Sequence, residues 1–145
     1  MVSVTLIRHG QATHNIVWDG AKNTKLTNEG LYQVAQISGA YDLVICSPLL
    51  RTKQTLSMSK IRYTRVFISN LCRELMSGHP ANYFEYEDII VETNEMFRDR
   101  VKKFIEYVKE YGKNHKRIAV VSHHDFIHAL SGYSLHNACQ VTIDL

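Results

Sequence analysis

Polar side chains follow a largely apolar run near the start of the chain, and their types suit phosphate chemistry. Arg8 and His9 come directly after residues 4–7, and Gly10 follows them. A guanidinium presents a planar fork of donors to phosphate oxygens, and an imidazole can transfer a proton or attack phosphorus. Gly10 would let a ligand approach the backbone closely, and Asn15 could hydrogen-bond that ligand. These residues predict an anion site.

Two later apolar runs end in the same way. Ser47 and Pro48 follow one of them and predict an N-cap and the first position of a helix, with Arg51 one turn further on. The other run ends in the sequence Ser-His-His-Asp at residues 122–125. A helix N-terminus adds backbone donors and the positive end of a dipole. The chain therefore offers a second guanidinium and further imidazoles.

Segments typical of strands and helices alternate along the chain. Short segments rich in Val and Ile predict strands at residues 2–7, 42–46, 65–68, 117–121 and 140–144. Apolar residues at helical spacing predict helices at residues 27–38, 48–58 and 92–111, and a short helix after Asp125. This alternation predicts an α/β three-layer sandwich, a mostly parallel central sheet with helices on both faces. Ligands bind beyond the carboxyl ends of such strands, so the three polar strand ends should share one crevice.

Length and composition indicate an ordinary globular domain. The chain has 145 residues, of which 45% are hydrophobic and 21% charged, so one domain over residues 1–145 is expected. The formal charge of +3 is small and no block of like charges occurs. We therefore expect no nucleic-acid or membrane partner, and no apolar run is long enough to span a bilayer.

The cysteines and the first residues indicate the cytoplasm. Cys46, Cys72 and Cys139 are odd in number and widely separated, so we expect them to be reduced. The first apolar stretch is interrupted by Arg8 and lacks a basic leader, which does not fit a signal peptide.

Five ordered blocks of sequence resemble the histidine phosphatase superfamily, also called phosphoglycerate mutase-like. They are LIRHGQATHN (residues 6–15), LTNEGLYQVA (26–35), SPLLRTKQT (47–55), CRELMSG (72–78) and AVVSHHDFI (119–127). The resemblance runs nearly end to end and implies the phosphoglycerate mutase-like fold with a minimal lid.

The resemblance implies hydrolysis of phosphate monoesters through a covalent phosphohistidine, with no metal and no cofactor. His9 is the implied nucleophile, and Glu74 the implied acid and then base. The residues expected to bind the phosphate or the rest of the substrate are Arg8, Gly10, Asn15, Arg51, His123 and His124.

The implied roles of His9 and Glu74 need particular protonation states. We expect the two guanidiniums to lower the pKa of His9 and keep it neutral. We expect the bound dianion to raise the pKa of Glu74, so that it can donate a proton to the leaving oxygen.

The chain departs from the family pattern at a few positions. Ala12 and Lys25 replace a small hydroxyl residue and a proline that are common there. After His123 the phosphoglycerate mutase-like branch usually has glycine, whereas His124-Asp125 resembles the His-Asp pair of the acid phosphatase branch. Asp125 is therefore an alternative acid to Glu74, or simply the cap of the next helix.

Hydrolysis is favoured over a mutase reaction, because a mutase must exclude water under a substantial cover. The only candidate lid is residues 76–88, whose aromatic side chains we expect to serve packing. The expected substrate is a phosphorylated small molecule or a phosphoprotein, and the oligomeric state is left open.

Two other functions remain open at this point. A metal-dependent hydrolase could use His124 and His128, which are four residues apart, with Asp125 between them. A binding module for phosphorylated ligands could keep the pocket without turnover.

Overall fold

The structure is a computed structural model that describes residues 1–145. Its strands are β1 (Ser3–Arg8), β2 (Ser38–Cys46), β3 (Lys60–Ile68), β4 (Ile118–Ser122) and β5 (Gln140–Asp144). Its helices are α1 (Asn28–Val34), α2 (Leu50–Met58), α3 (Asn94–Tyr111) and α4 (His124–Ser131). Short 3-10 helices occur at Thr13–Asn15, Asn70–Cys72 and Pro80–Asn82.

The strands form one sheet in the order β3-β2-β4-β1-β5. β1, β2, β3 and β4 are parallel, and β5 pairs antiparallel with β1. The predicted α/β architecture with a mostly parallel sheet is therefore confirmed. β1 and β4 are neighbours, so their carboxyl ends, at Arg8 and Ser122, lie side by side.

Each face of the sheet is covered by its own apolar layer. Val4 and Leu6 of β1 pack into a cluster with the buried side chains of α3 and α4. Ile7 faces the opposite cluster, which contains residues of α1 and α2 such as Val34 and Leu56. The alternation of side chains along a strand thus serves both layers and fixes β1 in the middle of the molecule. No helix is both long and apolar enough to cross a bilayer.

Two strands start earlier than the sequence pattern predicts. β2 begins at Ser38 and β3 at Lys60, and the two strands pair from these residues to Cys46 and Ile68. β3 lies at the edge of the sheet and is exposed along most of its length. An edge strand exposed in this way carries no apolar alternation, which explains why its first half was not predicted.

The helices after β2 and β4 start at other residues than predicted. α2 begins at Leu50, and its N-cap is Leu49, not Ser47. α4 begins at His124, so Asp125 lies inside the first turn and does not cap the helix. The prediction of Ser47 as N-cap was wrong because the helix begins two residues later, although the Ser47 hydroxyl accepts from the N–H of Leu49 at 3.4 Å.

The predicted lid, residues 76–88, is held against the body of the protein. Arg73 forms a salt bridge of 2.8 Å with Glu87 and lies over the ring of Phe84. Tyr83 is buried and donates its hydroxyl hydrogen to the carbonyl of Ile90. These contacts make the segment a fixed wall in which Tyr83 and Phe84 pack as expected, whereas Tyr86 is 84% exposed.

Candidate active site

A pocket of about 270 Å³ lies at the carboxyl ends of the parallel strands. All of its lining residues are polar or charged: Arg8, His9, His14, Asn15, Arg51, Glu74, Ser77, His79, Asn82, His124 and Asp125. Residues from the end of β1, the first turn of α2 and the first turn of α4 therefore meet in one crevice, as the strand order requires.

His9 is held in one orientation directly after β1. Its backbone N–H donates to the carbonyl of Ser122, and its own carbonyl accepts from the N–H of Ala138. Its ring Nδ1 lies 2.6 Å from the carbonyl oxygen of Gly10, so Nδ1 carries the proton. The lone pair therefore lies on Nε2, which accepts from Arg51 Nε at 3.3 Å.

Burial lowers the pKa of His9 well below its ordinary value, and the guanidiniums of Arg51 and Arg8 lower it further. The expected direction is confirmed, although burial is a larger cause than the guanidiniums. His9 is therefore a neutral imidazole with an unprotonated nitrogen towards the pocket.

The two arginines of the pocket are fixed by carbonyl and amide oxygens. Arg51 is almost fully buried and donates from Nη1 to the carbonyl of Ala81 at 2.8 Å and from Nη2 to Asn82 Oδ1 at 2.6 Å. Arg8 donates from Nη1 to the carbonyl of Leu135 at 2.9 Å, while its buried Nε has no partner. Burial lowers the pKa of Arg51 to about 10, so it remains charged near neutral pH.

Glu74 is buried at the N-terminus of α4. Its Oε1 accepts from the N–H groups of Leu75 and Phe126, and its Oε2 accepts from the N–H of Asp125. Burial and the charge of Asp125 raise the pKa of Glu74 despite these hydrogen bonds. We expected a bound dianion to raise the pKa of Glu74, but this pKa is already raised by the protein itself.

His124 and Asp125 line the pocket but are more exposed. His124 Nδ1 lies 3.0 Å from Asp125 Oδ1, and about half of the Asp125 side chain is accessible to solvent. Asp125 is therefore a largely exposed side chain beside the buried carboxyl group of Glu74.

His123 is fully buried and does not line the pocket. Its Nε2 contacts Ser47 Oγ at 2.8 Å, and its Nδ1 has no partner. The centres of the His123 and His9 rings are 5.2 Å apart, so His123 lies behind the nucleophile candidate. Because Ser47 takes only Nε2, the Nδ1 of His123 is left for a ligand, and its expected role in phosphate binding stays a prediction.

Gly10 is not among the residues that line the pocket, and its predicted close approach to a ligand stays a prediction. Its N–H donates to Thr55 Oγ1 at 3.1 Å. A Cβ at this position would lie 2.6 Å from Val34 Cγ1 and 2.8 Å from the carbonyl oxygen of Gly30. Glycine is needed here because the loop after β1 packs directly on α1. Asn15 does line the pocket, as predicted, although its Oδ1 accepts from the N–H of Ala12.

Four lining residues were not predicted as part of the site: His14, Ser77, His79 and Asn82. Burial and Arg51 lower the pKa of His14 to about 4, so it is neutral near pH 7. Ser77, His79 and Asn82 lie in an irregular segment, where no periodicity indicates which side chains turn inwards. For His14 the one signal in the sequence was its position directly before Asn15, a residue predicted to bind the ligand.

The structure contains no group of three or more His, Cys, Asp or Glu side chains that could hold a metal ion. The rings of His124 and His128 stack with centres 6.3 Å apart. The alternative of a metal-dependent hydrolase therefore lacks the donor set it requires.

The family model of the histidine phosphatase superfamily (branch 1) matches residues 4–79 and 69–140. None of the curated proteins matches the chain. Among solved structures, alpha-ribazole phosphatase from Shigella flexneri has a TM-score of 0.74 and 21% identity over 99% of this chain and 91% of that chain. Mycobacterial glucosyl-3-phosphoglycerate phosphatase has a TM-score of 0.69 and 14% identity over 99% and 91%.

A third solved structure is that of phosphoserine phosphatase from Entamoeba histolytica in complex with 3-phosphoglyceric acid. It has a TM-score of 0.63 and 18% identity over 98% of this chain and 90% of that chain. At such identities the likeness to these structures establishes the fold. The family model covers most of the chain, and the chain belongs to the histidine phosphatase superfamily, branch 1. The family predicted from the five sequence blocks is confirmed.

Proposed function

We propose that this chain is a phosphomonoester hydrolase with His9 as its nucleophile. The observation that carries the proposal is the fixed tautomer of His9, whose Nδ1–H donates to the Gly10 carbonyl. The Nε2 lone pair consequently faces Arg51 and the pocket. A neutral imidazole in this position can attack a phosphoryl group that the guanidinium binds.

In the first step, His9 Nε2 forms a bond to phosphorus as the bond from phosphorus to the ester oxygen breaks. Glu74 gives its proton to the leaving oxygen, so an alcohol departs. Arg8 and Arg51 stabilise the charge on the remaining phosphoryl oxygens. The Gly10 carbonyl, which accepts a hydrogen bond from Nδ1–H, stabilises the positive charge that the ring acquires.

In the second step, the ionised carboxylate of Glu74 removes a proton from a water molecule. The water oxygen bonds to phosphorus as the bond between phosphorus and Nε2 breaks, and the electron pair returns to Nε2. Phosphate leaves, and Glu74 is again protonated.

Glu74, not Asp125, is the acid in this proposal. Burial raises the pKa of Glu74, whereas Asp125 is exposed and paired with His124. Two neighbouring carboxyl groups in different environments can divide these roles, one staying protonated and the other ionised.

Hydrolysis is proposed in preference to mutase transfer because the segment that would have to cover the pocket is a short fixed wall, residues 76–88. The matched structures named above are phosphatases of small phosphate esters, which supports a small-molecule substrate. We propose a cytoplasmic protein because its three cysteines are unpaired.

The test is to trap the phosphorylated enzyme. Wild-type protein mixed with p-nitrophenyl phosphate and quenched in alkali should carry one phosphoryl group on the peptide that contains His9, as detected by mass spectrometry. His9→Ala should carry none and should release no p-nitrophenol.

The matched control is His115→Ala, because His115 lies outside the pocket and contacts the Tyr111 carbonyl. This variant should behave as wild type. Turnover by His9→Ala at the wild-type rate, or a phosphoryl group on another residue, would overturn the proposal. Binding of phosphate without any turnover in wild type would favour the non-catalytic binding module.

A further inference from the structure

Three consecutive apolar residues lie exposed in the loop after the Thr13–Asn15 turn. Ile16, Val17 and Trp18 expose 60%, 70% and 53% of their surface. Soluble proteins seldom leave such a run in water without a use for it. The loop is tied down nearby, because Lys22 donates to the Glu87 carbonyl and His14 contacts Thr24.

The exposed loop is connected to the pocket by aromatic rings. The ring of His14 lies 6.4 Å from that of His9, and the ring of His79 lies 5.6 Å from that of His14. Trp18 follows, with its ring 5.1 Å from that of His79. His14 and His79 line the pocket. The Trp18 indole is next to the His79 ring and lies just outside the pocket lining.

The wall between the phosphate position and Trp18 consists of hydrogen-bonding groups. No lysine, and no arginine other than Arg8 and Arg51, lines the pocket. His79 accepts the N–H of Ala81 at Nδ1, so its Nε2 carries a proton that it can donate. This wall suits the hydroxyl groups of a substrate and offers no charge partner for a second anionic group.

We propose that Trp18 and His79 form a subsite for an aromatic ring in the leaving group. The substrate class is phosphate monoesters whose alcohol carries a planar ring on a short hydroxylated spacer, as nucleoside 5′-monophosphates do. The phosphate lies at His9, the spacer contacts the polar wall, and the ring stacks on the Trp18 indole. The inference rests on the proposed function for the position of the phosphate.

Adenosine 5′-monophosphate and ribose 5-phosphate test the proposal, because they differ only in the base. For wild type we expect kcat/KM to be about tenfold higher for the nucleotide, the usual size of a base–aromatic stacking effect. Trp18→Ala should reduce this ratio to near unity, and Trp18→Phe should keep most of it. Tyr32→Ala, which removes an exposed aromatic ring outside the pocket, should not change the ratio.

Trp18 is the only tryptophan of the chain, so its fluorescence reports the occupant of the subsite directly. In His9→Ala protein, adenosine 5′-monophosphate should quench this fluorescence in a saturable manner, and ribose 5-phosphate should not. This readout needs no turnover. An inactive wild-type enzyme that still shows the quenching would remove the proposed function and keep the subsite.

Three results would overturn the subsite: equal kcat/KM for the two esters in wild type, an unchanged ratio in Trp18→Ala, or identical fluorescence responses to both. A higher kcat/KM for octyl phosphate than for the nucleotide would also overturn it, because the loop would then bind aliphatic chains.

Discussion

β1 and β4 are adjacent parallel strands, and each is followed by a histidine, yet the structure uses the two rings differently. His9 donates a hydrogen bond from Nδ1–H to the Gly10 carbonyl and directs Nε2 to Arg51 and the pocket. His123 contacts Ser47 through Nε2, is fully buried, and has no partner at Nδ1. Residue type and position at the strand end are the same, so the hydrogen-bond partners decide which nitrogen is available for chemistry.

Replacing each histidine should give the largest difference. We expect His9→Ala to lower kcat/KM for p-nitrophenyl phosphate at least about a thousandfold, as loss of a nucleophile does. His123→Asn should cost about tenfold, because His123 is fully buried and is not among the residues that line the pocket. Steady-state kinetics of both variants measure this difference. Equal losses would contradict the distinction between the two strand ends.

Arg51 donates a hydrogen bond to His9 Nε2 and to no atom of His123, so replacing it sharpens the comparison between the two histidines. Arg51→Lys keeps the charge and loses the fork that reaches Nε2, Ala81 and Asn82. We expect kcat/KM to fall about a hundredfold, comparable to the loss of one preorganised donor. Arg65→Lys on the exposed face of β3 is the control and should keep the wild-type value.

Ser47 should matter for stability more than for chemistry. Ser47→Ala leaves the buried Nε2 of His123 without a partner, and we expect the free energy of unfolding to fall by about 1–3 kcal/mol. Urea unfolding measures this loss, with the exposed Ser57→Ala as control. A stability equal to wild type, together with a large loss of kcat, would show that the contact serves catalysis.

The pH dependence of stability should give the smallest effect. The pKa values of His9, His123 and His14 are lowered by burial, so only the unfolded chain takes up their protons below pH 6.5. Protonation of these groups in the unfolded chain therefore lowers the free energy of unfolding as the pH falls below 6.5. For His14 this loss continues down to a pH of about 4.

The raised pKa of Glu74 acts in the opposite sense, since it favours the native state as the pH falls towards 4.5. His14→Gln isolates the histidine contribution and should lose less stability than wild type between pH 7 and pH 5. His115→Gln should lose as much as wild type. An identical loss in His14→Gln would mean that His14 is protonated in the native state.

The sequence predicted the strand ends well, because buried parallel strands are apolar runs that stop abruptly at polar residues. This pattern identified Arg8, His9 and Arg51, and the strand order brought them to one pocket. Glu74 lies in a loop, and the family resemblance alone pointed to it. The packing of Gly10 on α1 could not be predicted, since a sequence does not reveal whether a glycine faces a ligand or a neighbouring helix.

The remaining wall of the pocket could not be predicted from local patterns. His79 and Asn82 lie in an irregular segment whose position depends on contacts with distant residues, such as that between Arg51 and Asn82. The contact between His123 and Ser47 was equally inaccessible, because Ser47 was assigned to a helix cap. Asn82 and His123 are each positioned by a hydrogen bond to a residue far away in the chain.

The exposed edge strand β3 bears on the solubility of the protein. One side of β3 has no neighbouring strand, and Val66 and Ile68 are exposed on it, so another chain could add to the sheet there. Lys60, Arg62 and Arg65 place three positive charges on the same strand. Mutual repulsion between these charges disfavours edge-to-edge aggregation of copies of the chain. β3 can therefore remain exposed to solvent without another element covering it.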